Sequence, residues 1–179
     1  MLTLAGFLLT YCMTDEQLRA GLKEAMLTEM AGIEFYTTAA EKTIDPQGRR
    51  MFALLANEER KHLEYLKRNY GHLVTNSQFE PLTETSNIDP TQASPIFSLE
   101  LKSRLKTAHW EMTALSVGLA LEQASIQRYR ELATSTLVPA LKNFFSVLVR
   151  WEETHAAALQ KQINRLRESY WEEAHFAPF

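Results

Sequence analysis

The chain has a single cysteine, Cys12, in 179 residues. A disulfide framework within one chain is therefore impossible, and so is a Cys-x-x-Cys metal or redox site. Glycine and proline are also sparse, six of each, which argues against a turn-rich β fold and for long helices. There is no basic excess: the formal net charge is -3. No Lys/Arg-rich run points to nucleic acid or an anionic membrane surface, so neither is expected as a partner. The apolar run Met1 to Met13 is too short to span a bilayer. It has no positively charged start, and Tyr11 precedes Cys12 where a processing site takes a small residue. It reads as an apolar N-terminal arm, or as sequence ahead of a true start at Met13. What remains is an ordinary soluble composition, 45% hydrophobic and 23% charged. Its length suits one domain with a full core, expected in the cytoplasm.

What the chain does have is a repeat. Shifted by 93 residues, it aligns with itself without a gap, and 14 of the 56 positions from Leu18 to Leu73 are identical. Glu29 falls on Glu122, Tyr36 on Tyr129, Pro46 on Pro139, Glu59 on Glu152 and His62 on His155. Identity at polar positions is the informative part, because solvent-facing Glu and His drift freely.

Each half reads as two helices. Thr14 and Gln17 form a capping-box start for a helix to about Thr43. Asp45-Pro46 opens a second helix, expected to run to about Tyr70, where Gly71 can stop it. The third is expected from near Thr107 to near Ser135, and the fourth from Pro139 to about Glu168. Between the halves, His72 to Phe97 carries Pro81, Pro90 and Pro95 and reads as a long connection, with a short helix possible over Leu99 to Lys106. Two hairpins joined by a long crossover describe an all-α, ferritin-like four-helix bundle. The expected layout is an arm over 1–13, the bundle over 14–169 and an aromatic tail over 170–179.

Apolar residues at 3-4 spacing mark one buried stripe per helix, and each stripe is interrupted by polar residues. In the first helix the stripe is Leu22, Met26, Glu29, Ile33, Tyr36, Ala40, and in the third Leu115, Leu119, Glu122, Ile126, Tyr129, Ala133. The second reads Phe52, Leu55, Glu59, His62, Leu66, and the fourth Phe145, Leu148, Glu152, His155, Leu159. Burying unpaired carboxylates is costly. Four at one level must be protonated or must bind cations. Two divalent ions would balance four glutamates beside neutral histidines. Glu59/His62 and Glu152/His155 are i, i+3 pairs about 60° apart around the helix, so both members can reach one ion. A Glu from each of two helices plus Glu-x-x-His from each of the others is the donor set of di-iron and di-manganese bundles. The bland alternative is a metal-free bundle with satisfied polar groups. Glu34, Glu58 and Glu153 lie off the stripe and are expected to be solvated. His72, His109 and His175 lack partners at ligand spacing. Trp110 and Trp151 read as packing rather than electron-transfer groups, and the methionines as core filler.

On these motifs the chain resembles the ferritin-like di-iron superfamily, and its rubrerythrin-type domain most closely, over roughly Leu18 to Arg167. The resemblance implies metal ligands at Glu29, Glu59, His62, Glu122, Glu152 and His155. It also implies that Tyr36 and Tyr129 hydrogen-bond a ligand carboxylate. There are two departures. Rubrerythrins usually carry an extra carboxylate three residues past the third-helix ligand; here that position is Ser125, and its counterpart is Gly32. The rubredoxin module is also missing. The implied function is a di-iron oxidoreductase that reduces peroxide or O2, with manganese as an alternative metal. Its implied partners are an external electron-donor protein and a second copy in a homodimer. The departures imply slower peroxide turnover. A ferroxidase that handles iron and a di-iron oxygenase are the alternatives.

Overall fold

The computed structural model describes residues 15–75 and 109–173. Four helices account for nearly all of them: α1 (Asp15–Lys42), α2 (Pro46–Val74), α3 (His109–Ser135) and α4 (Pro139–Glu173). Among the described residues there is no strand. α1 packs along α2, α3 along α4, and α1 also meets α3. This is an all-α, ferritin-like four-helix bundle. The arm over 1–13, most of the crossover, the segment Leu99 to Lys106 and the tail beyond Glu173, with His175, lie outside the described residues.

Local chemistry explains the turns. Asp45 caps α2: its Oδ1 accepts from Gln47 N at 3.0 Å and Gly48 N at 2.8 Å, and Pro46 needs no donor there. Thr43, buried two residues earlier, offers its carbonyl to Arg49 at 3.2 Å. The α3–α4 turn solves the same problem with Thr136, whose Oγ1 accepts from Val138 N at 3.2 Å.

Two helix ends fall later than the sequence suggests. α2 continues through Gly71 to Val74. A glycine only permits a stop, and here the chain takes ordinary helical turns past it, closed by Thr75 N donating to Gly71 O at 3.1 Å. α4 runs through Tyr170 and Trp171 to Glu173. Arg167 lies over the Trp171 ring at 5.1 Å, an i, i+4 contact that supports the extra turn.

The core is split. One apolar cluster gathers Tyr36, Phe52, Leu55, Leu115 and Leu159; the other gathers Leu22, Leu66, Tyr129, Phe145 and Leu148. In every helix one stripe segment belongs to each cluster, and between the two lie Glu29, Glu59/His62, Glu122 and Glu152/His155. Hydrophobic packing above and below therefore fixes the depth at which the polar residues meet.

Candidate metal centre

All six polar stripe residues are buried, each 4% exposed or less. The two histidines occupy its middle, with ring centroids 5.2 Å apart and planes 9° from parallel. His62 Nδ1 lies 3.1 Å from Glu152 Oε1, 3.3 Å from Glu59 Oε2 and 3.4 Å from Glu29 Oε2. His155 Nδ1 lies 3.2 Å from Glu59 Oε1, 3.5 Å from Glu152 Oε2 and 3.7 Å from Glu122 Oε2. Glu59 and Glu152 thus show one oxygen to each histidine. Glu29 and Glu122 each face only one.

The outer two glutamates are held across the bundle. Tyr36 donates its hydroxyl to Glu122 Oε1, and Tyr129 donates to Glu29 Oε1. Each tyrosine bonds the carboxylate of the other hairpin, not the one seven residues before it on its own helix. Sequence spacing suggests a Tyr–carboxylate bond but cannot say which pair, because that depends on how the hairpins pack.

The inner groups are close without being hydrogen-bonded. Glu59 Oε1, both oxygens of Glu152 and both ring nitrogens of both histidines are buried with no hydrogen-bond partner. Donor atoms of Glu59, His62, Glu152 and His155 lie within 4.8 Å of one another. Buried polar atoms aimed at a common centre, rather than at each other, are what a bound cation would satisfy. Carboxylate oxygen with imidazole nitrogen suits iron or manganese.

Without a cation, the buried groups shift one another's hold on protons. Burial, then the neighbouring Glu152 and Glu59 charges, push Glu29 well above the usual carboxylate range. Burial and the Glu152 charge do the same to Glu122. Burial also pushes Glu59 and Glu152 up, but the hydrogen bond with Glu29 and then the two imidazoles outweigh it at Glu59, and the two imidazoles outweigh it at Glu152. Glu59 ends well below the ordinary range and Glu152 at about 2. Burial pulls both histidines down, and the surrounding carboxylates more than reverse it, raising His62 and His155. These directions favour protons on Glu29, Glu122 and the two imidazoles over protons on Glu59 and Glu152. Both tyrosines are raised, by burial and then by the glutamate each one touches.

The positions three residues past the outer glutamates differ. Gly32 leaves room for Glu59: a Cβ there would stand 3.3 Å from Glu59 Cγ. Its counterpart Ser125 is buried. One expectation needs correcting. Glu58 is not solvated but 2% exposed, and it accepts from Lys61 Nζ at 2.9 Å. The signal was in the sequence, a lysine three residues on. Glu34 and Glu153 are exposed as expected, with Glu153 accepting from Arg130. His109 is exposed and His72 half-buried, and neither joins the cluster.

A four-helix, ferritin-like bundle with carboxylates and histidines gathered at mid-depth defines the class of protein. A family model described as Rubrerythrin matches residues 7–70 and, overlapping, 20–115. The longer match spans more than half of the chain, which belongs to the rubrerythrin family. The matched residues include Glu29, Glu59 and His62 and end before Glu122, so the second hairpin enters the site on geometry. No curated protein and no solved structure matches the chain. No described helix is long and apolar enough to cross a membrane.

Proposed function

We propose that the chain is a di-iron oxidoreductase of rubrerythrin type that reduces peroxide, or O2, at this buried cluster. The observation that carries the reading is the set of buried atoms the protein itself leaves unsatisfied at the centre, Glu59 Oε1, both oxygens of Glu152 and the Nδ1 of both histidines, with one oxygen each of Glu29 and Glu122 beside them. Glu29 with His62 would hold one ion and Glu122 with His155 the other. Glu59 and Glu152, each showing an oxygen to both sides, would bridge them. Iron held there would supply the two electrons that, with two protons, turn hydrogen peroxide into two waters.

The chain's own residues prepare that chemistry. Tyr129 and Tyr36 occupy one oxygen of Glu29 and Glu122 and leave the other facing inward. The two apolar clusters exclude bulk water from above and below, which strengthens every electrostatic contact at the site. An external electron-donor protein would return the site to its reduced state, and a cytoplasmic homodimer is the working form of this proposal.

Stopped-flow mixing of the ferrous-loaded protein with peroxide and with O2, side by side, tests it. Oxidation by peroxide well ahead of O2 is expected. Faster oxidation by O2 with iron accumulating in the protein would move the reading to iron handling. No oxidation by either would overturn the redox function.

A further inference from the structure

The six clustered residues recur at the 93-residue offset, but the residue before each Glu-x-x-His does not. Glu58 stands where the second half has Trp151. Glu58 turns to Lys61, whereas Trp151 lies on the centre. Its indole is stacked on the His62 imidazole, centroids 4.5 Å apart and planes 19° from parallel. Trp151 and His155 are one turn apart on α4, so two nearly parallel rings from one helix face the single ring of His62.

This matters because of what His62 lacks. A metal-binding histidine ordinarily has its ring plane set by a hydrogen bond from the nitrogen that does not face the metal. His62 Nε2 is buried and has no such partner. The torsion that turns an imidazole about its Cβ–Cγ bond is otherwise soft. A quarter turn would carry Nδ1 away from Glu29, Glu59 and Glu152, and the indole face blocks that turn. We propose that Trp151 is the positioning residue of His62, with ring stacking doing what an outer hydrogen bond does elsewhere. The proposal rests on the metal reading above and goes beyond it by assigning a residue outside the donor set.

The full-length apo protein, titrated with Mn2+ by calorimetry, provides the test, together with the imidazole proton resonances of His62. In the wild type those protons should be shifted upfield by the indole ring current. Trp151→Phe keeps a ring in place and should keep both the shift and an affinity within a few-fold of the wild type. Trp151→Leu should lose the shift and about 10–100-fold in Mn2+ affinity, the usual cost of removing an orienting group. Phe144→Leu removes a ring from the same apolar cluster, one stacked on Tyr65 rather than on a histidine. It should lower the melting temperature and leave Mn2+ binding intact. Wild-type affinity in Trp151→Leu, or an equal loss in Phe144→Leu or Trp151→Phe, would overturn the proposal while leaving the metal centre standing. A wild-type protein that binds no Mn2+ would overturn the centre itself.

Discussion

The hairpin α1–α2 and the hairpin α3–α4 each present the same three seam residues, two Glu and one His, and the same crossed tyrosine, and surround them differently. Glu29 meets Tyr129 as Glu122 meets Tyr36. Around those pairs, Gly32 answers to Ser125, Glu58 to Trp151, and Ala25 to Gly118, where a Cβ would stand 3.1 Å from the Tyr36 ring. The donors are alike because the charge and geometry of the site admit few alternatives. The neighbours differ because packing accepts many solutions of similar volume.

Removing one of the inner carboxylates should have the largest effect. In the proposed site, Glu59→Ala or Glu152→Ala would take a ligand from both ions at once, so either should abolish paired binding. Metal analysis should then give at most one ion per chain, whichever hairpin carries the change. Two ions per chain in either variant would show that the inner glutamates do not bridge.

Removing the metal comes next. A ligand that binds only the folded state adds about 2.7 kcal/mol at a hundredfold excess over Kd. For a chain of this size that corresponds to roughly 5–10 °C in melting temperature. Superimposable melting curves for apo and iron-loaded protein would contradict the site.

The dependence on pH should then have opposite slopes in the two forms. In apo protein, His62 and His155 are raised above their usual 6.5. Their stabilisation is complete below that value and is lost as pH rises through the raised values. The raised Glu29 and Glu122 act in the same direction. Glu59 and Glu152 are depressed, so their stabilisation is present above the usual 4.5 and fades as pH falls, for Glu152 toward about 2. Apo stability should therefore peak in mildly acidic solution and decline toward alkaline pH. In the proposed site, divalent ions would compete with protons for these carboxyl and imidazole groups, so metal affinity should rise with pH. Denaturant titrations of both forms across the range check the two slopes.

Smaller effects sharpen the match between the hairpins. Tyr36→Phe and Tyr129→Phe each leave one buried carboxylate oxygen without its donor, at about 1–3 kcal/mol, and the two losses should be equal. Chemical denaturation measures both, and a clear inequality would show that the crossed bonds are not equivalent. Where the hairpins differ, so should the outcome. Ser125→Glu should speed peroxide reduction by adding a ligand, whereas Gly32→Ala should weaken metal binding because its Cβ crowds Glu59. Equal ferrous oxidation rates for Ser125→Glu and the wild type, with the new carboxylate bound, would show that the extra ligand is irrelevant.

Most of this was legible in the sequence, for physical reasons. A carboxylate on an apolar stripe is anomalous wherever it occurs, so Glu29, Glu59, Glu122 and Glu152 stood out without any coordinates. The i, i+3 histidines then tied two of them to one centre. What could not be read depended on relations between helices. The spacing of Tyr36 and Tyr129 does not reveal that each bonds the opposite hairpin. The stacking of Trp151 on His62 is invisible for the same reason. Glu58 lies off the stripe, which suggests solvent, but its pairing with Lys61 lets it be buried. The later ends of α2 and α4 reflect local contacts that outweigh weak stop signals.

The central claim, that six seam residues hold a pair of ions, is tested most directly by anaerobic titration of the apo protein with Fe2+, read by bound iron per chain and by protons released. Two ions per chain are expected, with protons displaced from the buried carboxyl and imidazole groups as they bind. Saturation at one ion, or two ions bound with no proton release, would contradict the claim.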